Sequence, residues 1–166
     1  MATNQSILIF LESFNMGGAE RQALNLAKGL KERNIEVSVV SLGPDGNATD
    51  EFRAESFETK ALGLVLYSTH PTIIKRNVKA IRKEIKRFSA THVLPYTYWP
   101  NLYVNLTKSK KTKEVKFFWN QRDIGLHFGK HPGEKGLILN ADCVVGNSVA
   151  CLNCIKEHYA IELERS

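Results

Sequence analysis

Short apolar runs alternate with helical patterns along the whole chain, and this alternation restricts the fold more than any other feature. Runs rich in aliphatic and β-branched residues predict strands at residues 6–13, 36–42, 64–68, 91–97, 114–120 and 142–148. Apolar residues at helical spacing predict helices at residues 19–34, 50–62, 71–88, 101–110, 134–140 and 149–159. Strands that alternate with helices in this way form a parallel sheet covered on both faces.

The chain is predicted to be one domain. Its 166 residues suffice for a substantial core, and no proline-, glycine- or serine-rich linker divides them. We therefore expect residues 1–166 to form a single Rossmann-like domain of the α/β class, with a doubly wound, mostly parallel sheet in three layers, α/β/α.

Several features of the sequence predict a cytoplasmic location. No apolar run approaches the roughly 20 residues that span a bilayer. The first residues, MATNQSILIFLES, lack the basic flank and the cleavage site of a secretory signal. Three cysteines do not make a disulfide framework.

The net charge of +6 favours anionic partners such as nucleotide sugars, acidic lipid or nucleic acid, without choosing among them.

Two adjacent glycines, Gly17 and Gly18, separate the first predicted strand from the first predicted helix. In doubly wound sheets ligands bind beyond the carboxyl ends of the strands, so this loop borders the expected site. Glycines let a ligand approach the backbone and allow positive φ, and a helix start favours anions. Arg21 offers a forked cationic donor, and Glu20 can accept hydrogen bonds from sugar hydroxyls. Alternatively, the glycines only form a tight turn and both charged residues are solvated.

The common nucleotide-binding fingerprints are absent from the sequence. Neither the G-x-G-x-x-G pattern of dinucleotide-binding domains nor a G-x-x-x-x-G-K loop occurs. No acidic residue ends the second predicted strand, because Asp45 comes late, within a loop. A nicotinamide-dependent enzyme is therefore disfavoured, and no cofactor is expected.

Two segments resemble a known family. Residues 14–42, FNMGGAERQALNLAKGLKERNIEVSVVSL, are similar to the opening of the GT-B glycosyltransferases of family 4. Residues 140–161, NADCVVGNSVACLNCIKEHYAI, resemble the strand, serine and helix that close the N-terminal domain of that family, with Ser148 as the serine. The residues between them match in pattern only.

This resemblance implies an enzyme with two Rossmann-like domains that face each other across a cleft. Such enzymes transfer a sugar from a nucleotide-diphosphate sugar with retention of configuration. The N-terminal domain mainly holds the acceptor, here a glycan or a lipid-linked molecule, and its glycine loop (Gly17, Gly18, Glu20 and Arg21) lies near the donor diphosphate. The C-terminal domain, with most of the nucleotide contacts and paired glutamates, would be absent from residues 1–166. We expect this fragment alone to be inactive.

The sequence departs from the family where many members carry a histidine. That position, after the strand at residues 114–120, reads Gln121-Arg122-Asp123, and the nearest histidine is His127. Arg122 and Asp123 are the candidate catalytic residues by position, since both follow a strand at its carboxyl end. Alternatively, they form an ion pair on a surface loop.

Further acceptor-side candidates follow two of the predicted strands. Tyr96, Tyr98 and Trp99 come after the fourth strand and can stack on a sugar or a lipid-linked acceptor, although a core role for two of them fits equally well. His127 lies in a glycine-bearing segment that suits a solvated or acceptor-facing loop.

Basic residues cover one face of the predicted helix at 71–88, opposite its apolar stripe. The residues assigned to contact with an anionic membrane are Lys79, Arg82, Lys83 and Lys86. Basic residues at a lipid surface each contribute about 1 kcal/mol. The pattern predicts peripheral contact with the inner membrane face, or only a solvated helix face. No nucleic-acid recognition motif supports nucleic acid as a partner.

Cys143, Cys151, Cys154 and His158 could suggest a zinc site, but their spacing matches no familiar finger. No metal is therefore expected. Two functions remain open: the acceptor-side domain of a retaining glycosyltransferase, or a non-catalytic Rossmann-like module that binds a nucleotide or another anionic ligand.

Overall fold

The computed structural model describes residues 5–68 and 70–163. Its strands are β1 (Ser6–Leu11), β2 (Glu36–Ser41), β3 (Glu58–Ala61), β4 (His92–Pro95), β5 (Lys116–Gln121) and β6 (Cys143–Gly146). Its α-helices are α1 (Gly18–Lys31), α2 (Ala48–Ala54), α3 (Pro71–Arg87), α4 (Tyr98–Asn105), α5 (Glu134–Asn140) and α6 (Val149–Tyr159). In the described ranges, no helix has both the length and the apolar character needed to cross a bilayer.

The strands form one parallel sheet in the order β3-β2-β1-β4-β5-β6. The chain builds outward from β1 in one direction through β2 and β3, and then in the other direction through β4, β5 and β6. This arrangement confirms the predicted doubly wound, Rossmann-like fold. The order of strands reverses between β1 and β4.

Alternate side chains of β1 pack on opposite faces of the sheet. Leu8 and Phe10 join the core beneath α3 and α4. Ile9 and Leu11 join the core beneath α1 and α2. A third, smaller core around Trp119 lies beneath α5 and α6. The sheet is therefore the middle of three layers, because each face is covered by helices.

The structure corrects the prediction for residues 50–68. The helix ends at Ala54 instead of continuing to residue 62, because Ser56 adopts a positive φ of 64° and Phe57 turns back onto Phe52. The third strand is Glu58–Ala61, and residues 64–68 form no strand. Gly63, with a φ of 60°, redirects the chain so that Leu64 and Leu66 pack into the core, while Val65 between them is half-exposed.

Strand β3 is polar because it lies at the edge of the sheet. Its Lys60 pairs with the buried Glu84 of α3 at 2.6 Å. Its Glu58 pairs with Arg87 of α3, also at 2.6 Å. Charged side chains suit an edge strand, since they discourage pairing with another chain. The apolar run at 64–68 was therefore a misleading signal for the third strand.

Two asparagines of α4 complete the hydrogen bonding of β5. The backbones of β4 and β5 pair over only two positions. Beyond these, the Asn101 side chain donates to the Asn120 carbonyl at 2.7 Å and accepts from the Asn120 N–H at 2.8 Å. Asn105 donates to the Phe118 carbonyl at 3.0 Å. Helix α4 thus fills the space where the two strands separate.

We expect Asn101→Ala to lower the free energy of unfolding by about 2–4 kcal/mol. The change leaves a buried N–H and a buried carbonyl of Asn120 without partners, each of which costs about 1–3 kcal/mol. Chemical denaturation measures the loss. The control is Asn25→Ala, an exposed site on α1 where we expect a change within about 0.5 kcal/mol. Equal effects of the two substitutions would contradict this role of Asn101.

Candidate functional site

A cleft of about 590 Å³ opens at the carboxyl end of the sheet, where the strand order reverses. Its walls come from the loops after β1, β2 and β4 and from the irregular segment at residues 64–67. The start of α1 forms one side and Thr97 the other. The topology therefore places the cleft at the expected ligand-binding position of a doubly wound sheet.

Gly18 faces this cleft from the first turn of α1. A Cβ atom built on Gly18 would meet no heavy atom within 4 Å, so the backbone there is open to a ligand. Gly17 precedes the helix with a φ of −143°, and a Cβ on it would lie 3.0 Å from Oε2 of Glu20. Neither glycine adopts positive φ, so that part of the prediction was wrong. Open backbone facing the cleft is thus a property of Gly18, whereas Gly17 does not line the cleft and lies close to the Glu20 carboxylate.

Glu20 turns its carboxyl group back over the start of α1. It is 8% exposed and interacts with the backbone N–H groups of Glu20 itself and of Gly17. Burial raises the pKa of Glu20, while these hydrogen bonds lower it and the nearby Glu12 raises it further. Glu20 thus both lines the cleft and caps the helix. Arg21 is exposed and lies outside the cleft lining.

Glu12 is a cleft residue that the sequence analysis did not single out. It follows β1 directly, and its Oε2 accepts a hydrogen bond from the Thr97 hydroxyl at 3.0 Å. Its Oε1 accepts a hydrogen bond from the Tyr67 hydroxyl. That hydrogen bond raises the pKa of Tyr67 to about 12. The available signal was a charged residue at the carboxyl end of an otherwise apolar strand.

Thr97 has an unusual backbone conformation. Its φ of 68° and ψ of 174° lie in a region populated almost only by glycine. The residue sits between β4 and α4, and its side chain crosses the cleft to Glu12. Such strained positions concentrate at ligand-binding and catalytic sites.

The aromatic residues after β4 differ in their surroundings. Tyr96 and Tyr98 are each 3% exposed, which corresponds to the core alternative for these two. Trp99 is only partly buried, and the Tyr67 ring packs edge-on against it at 5.2 Å. The Tyr98 ring also packs against Trp99 and His127, with 5.2 Å and 5.5 Å between the ring centres. Trp99 and Tyr98 together therefore connect Tyr67 in the cleft wall to His127 in the loop after β5.

Arg122 and Asp123 do not form the ion pair considered as an alternative. The Arg122 guanidinium lies over the Tyr96 ring, 5.1 Å from its centre. The Asp123 carboxylate accepts hydrogen bonds from the backbone N–H of Gly125 at 2.7 Å and of Leu126 at 3.2 Å. Asp123 thus shapes the loop, whereas the Arg122 guanidinium rests on the Tyr96 ring and is not among the residues that line the cleft.

Glu134, the first residue of α5, holds the loop after β5 in place and is another residue that the sequence analysis did not single out. It is 1% exposed, and its Oε2 accepts from the Tyr98 hydroxyl at 3.1 Å and from the Gly129 N–H at 3.0 Å. Burial and the Glu134 charge raise the pKa of Tyr98. His127 is exposed and lies in the part of the loop between the Asp123 turn and Gly129.

The remaining candidates lie away from the cleft. Ser148 caps α6 by accepting from the Cys151 N–H at 3.3 Å. Arg82 donates to the Thr107 carbonyl at 3.0 Å, while Lys79, Lys83 and Lys86 are exposed along α3. The three cysteines are free thiols, and the described residues contain no cluster of three or more metal-ligating side chains.

The family model for glycosyltransferase family 4 matches residues 16–165. The chain belongs to this family. No curated protein matches it. Among solved structures it is similar to a glycosyltransferase from Rickettsia africae, with a TM-score of 0.72, 22% identity and coverage of 96% of this chain. It is also similar to MurG from Acinetobacter baumannii, with a TM-score of 0.62, 12% identity and coverage of 86% of this chain.

The family 4 chain spans 41% of the length of each of these two structures. At such identities the likeness concerns the fold, which agrees with the α/β architecture described above. The family model and the sheet topology together confirm the predicted resemblance to the N-terminal domain of a GT-B glycosyltransferase.

We expect Thr97→Gly to be more stable than Thr97→Ala by about 1 kcal/mol. Both changes remove the hydrogen bond to Glu12, but only glycine relieves the backbone strain, which is about 1–3 kcal/mol and is partly offset by the larger entropy of glycine in the unfolded chain. Denaturant unfolding of the two variants measures the difference. At exposed Thr72, in the first turn of α3, we expect the opposite order because φ there is helical. A more stable Thr97→Ala would contradict the strain.

Proposed function

We propose that this chain is the acceptor-side domain of a retaining glycosyltransferase. The enzyme would move a sugar from a nucleotide-diphosphate sugar to a glycan or a lipid-linked acceptor. The observation that supports this most directly is the cleft at the strand-order reversal, with open backbone at Gly18. Membership of glycosyltransferase family 4 supports the reaction class, and we propose the cleft as the part of this chain that takes part in the reaction.

The start of α1 suits the donor diphosphate. The first N–H groups of an α-helix have no acceptor within the helix and carry a partial positive charge. Gly18 and Ala19 both line the cleft, so phosphate oxygens can approach their backbone. On this proposal the carboxylates of Glu12 and Glu20 face sugar hydroxyls, since carboxylates accept hydrogen bonds from hydroxyls and repel phosphate.

Arg122 is proposed to add positive charge on the opposite side of the cleft. Tyr96, on which its guanidinium lies, directly precedes the cleft residue Thr97. Asp123 is proposed to act by positioning the loop, because its carboxylate is already engaged by backbone N–H groups. His127 and Trp99 remain candidates for contact with the acceptor.

Catalysis by this domain would require a second one. A transferase holds donor and acceptor together in a reactive arrangement, and this chain spans 41% of each matched structure. We propose that a further domain holds most of the nucleotide, and that residues 1–166 alone transfer no sugar.

We further propose that α3 brings the protein to an anionic membrane on the cytoplasmic side. Lys79, Lys83 and Lys86 project from the helix on the face opposite its buried Ile81 and Ile85. A groove of about 480 Å³ at the amino ends of β4 and β5 continues this surface with Lys111 on its far wall. The groove lies on the edge of the sheet opposite the cleft, so lipid contact there leaves the cleft open.

The first test replaces Gly18 by valine in the full-length protein. A branched side chain would enter the space proposed for the diphosphate, and a displacement of about 1 Å at a reacting group lowers a rate by about 100-fold. We expect at least this loss in sugar transfer, measured with radiolabelled nucleotide sugars. The thermal midpoint should fall by only a few degrees, about 1 kcal/mol for a domain of this size, because no atom is displaced.

The matched control is Gly29→Val, which makes the same change on the same helix. A Cβ at Gly29 would also meet no heavy atom within 4 Å, but Gly29 lies outside the cleft. We expect only a small change of stability, because no atom is displaced and valine is no worse than glycine inside a helix, and an unchanged rate. If both variants keep full activity, or if Gly18→Val unfolds the domain, the assignment of this loop to the donor is wrong.

The second test concerns the membrane. Replacing Lys79, Lys83 and Lys86 by glutamine should weaken binding to phosphatidylserine-containing vesicles about 100-fold, since each basic residue contributes about 1 kcal/mol. Co-sedimentation at low salt measures this, and binding of the unmodified protein should be lost at high salt. Arg82 is left unchanged because it is hydrogen-bonded to Thr107.

The control for this test removes the same charge elsewhere, by replacing Lys130, Lys135 and Lys156 with glutamine. Lys130 lies in the loop after β5, Lys135 in α5 and Lys156 in α6, so none of the three belongs to α3. Their replacement should leave vesicle binding nearly unchanged. Equal losses in both triple variants would mean that only net charge matters, and would refute a defined membrane-facing surface on α3.

A further inference from the structure

Glu12 differs from Glu20, which also lines the cleft, in its position and in its hydrogen-bond partners. It is the first residue after the central strand β1, at the point where the order of strands reverses. Within the described parts of the chain, no lysine or arginine forms an ion pair with it. Its two carboxylate oxygens instead accept hydrogen bonds from two hydroxyl groups. The local environment of Glu12 is therefore that of a carboxylate that binds a polyol.

The two hydroxyl donors differ in how firmly they are held. Thr97 is fixed by the short connection between β4 and α4. Tyr67 is 69% exposed and belongs to the irregular segment between β3 and α3. Its ring touches Trp99 edge-on, and its hydroxyl returns into the cleft to reach Glu12. Of the two donors, the Tyr67 hydroxyl is thus the one that a hydroxyl group of a ligand can replace at Glu12.

We infer that Glu12 is a hydroxyl-binding residue for the sugar ligand of this cleft, and that Tyr67 competes with that ligand for the Glu12 carboxylate. This inference rests on the proposed function, because it takes a sugar to be the ligand. A sugar hydroxyl and a tyrosine hydroxyl are both neutral O–H donors, so the exchange keeps the number of hydrogen bonds to Glu12 constant. The side chain that leaves is already mostly in solvent.

Competition predicts opposite effects for the two partners of this hydrogen bond. Tyr67→Phe keeps the ring against Trp99 but removes the competing donor, so a sugar should bind more tightly. Glu12→Gln removes the charge that strengthens the hydrogen bond, so a sugar should bind more weakly. If Tyr67 only supported the wall of the cleft through its ring, Tyr67→Phe would leave binding unchanged. If the Tyr67 hydroxyl bound the sugar itself, Tyr67→Phe would weaken binding.

The test measures dissociation constants of methyl α-glucoside, galactoside and mannoside with the full-length protein by calorimetry. For at least one of them we expect binding to weaken tenfold or more in Glu12→Gln, the effect of a hydrogen bond to a charged group. We expect a severalfold tighter complex in Tyr67→Phe. Glu51→Gln, at an exposed site on α2, is the matched control and should bind as the unmodified protein does.

Deoxy analogues identify the hydroxyl concerned. One analogue should bind about tenfold more weakly than its parent sugar to the unmodified protein. In Glu12→Gln, which keeps only an uncharged acceptor, the difference between that analogue and its parent should be clearly smaller. If every analogue loses the same affinity in both proteins, Glu12 binds no sugar hydroxyl. Absence of saturable binding by all three sugars, in the unmodified protein and in Tyr67→Phe, would also overturn the inference.

A measurement without ligand checks the hydrogen bond itself. Tyr67 should titrate near pH 12 in the unmodified protein, as followed by its ring carbon signals, and at a lower pH in Glu12→Gln. Titration near the ordinary value of about 10 would overturn the inference. Sugar transfer that is unaffected by Glu12→Gln, with unchanged binding, refutes this role of Glu12 while the proposed function stands. Sugar binding that depends on Glu12, without transfer from any nucleotide sugar, refutes the proposed function alone.

Discussion

The hydrogen bonding of β1 on both of its sides is the constraint on which the rest of the structure depends. Its backbone pairs with β2 over six residues and with β4 over four. Its side chains from Leu8 to Leu11 are completely buried, alternately against the two helical layers. The chain leaves β1 toward α1 on one face and leaves β4 toward α4 on the other. Two neighbouring loops therefore diverge at the same edge, and the cleft is the space that they leave.

This geometry brings carboxylates and a helix start into the same small volume. Glu12 directly follows β1, and Glu20 folds back over the first turn of α1, where burial and, to a smaller extent, the charge of nearby Glu12 raise its pKa. A phosphate would be repelled by both carboxylates and attracted by the backbone N–H groups at Gly18. On the proposed function, the phosphate groups of a nucleotide sugar would therefore bind to backbone N–H groups, and its hydroxyl groups would bind to the carboxylate side chains. Glu20, partly committed to capping, has less freedom for this than Glu12.

Sequence patterns predicted those elements whose burial is visible along the chain. The strands β1 and β2 are apolar because both faces are covered, and α3 has a regular stripe because one face packs on the core. Strand β3 escaped prediction because an edge strand can be polar, with Lys60 and Glu58 paired to α3. The apolar residues 64–66 suggested a strand, yet they form none: Leu64 and Leu66 pack into the core, while Val65 is half-exposed. The local composition of a segment indicates whether its side chains are buried. Whether the segment pairs as a strand depends on its position beside a neighbouring strand, which composition does not show.

For the site, the sequence pointed to the glycine loop but not to the side chains that complete the cleft. Gly17 and Gly18 were recognisable as a pair, whereas the contact between Glu12 and Thr97 joins residues 85 positions apart. Charge was misleading in the same way, since a sequence counts every cation equally. Arg82 and Arg87 look like their neighbours on α3, but one is bonded to a backbone carbonyl and the other to Glu58. The net charge of +6 already counts Glu58 against Arg87, so it does not show which individual cations are free to meet a partner. That is set by tertiary contacts, which composition does not contain.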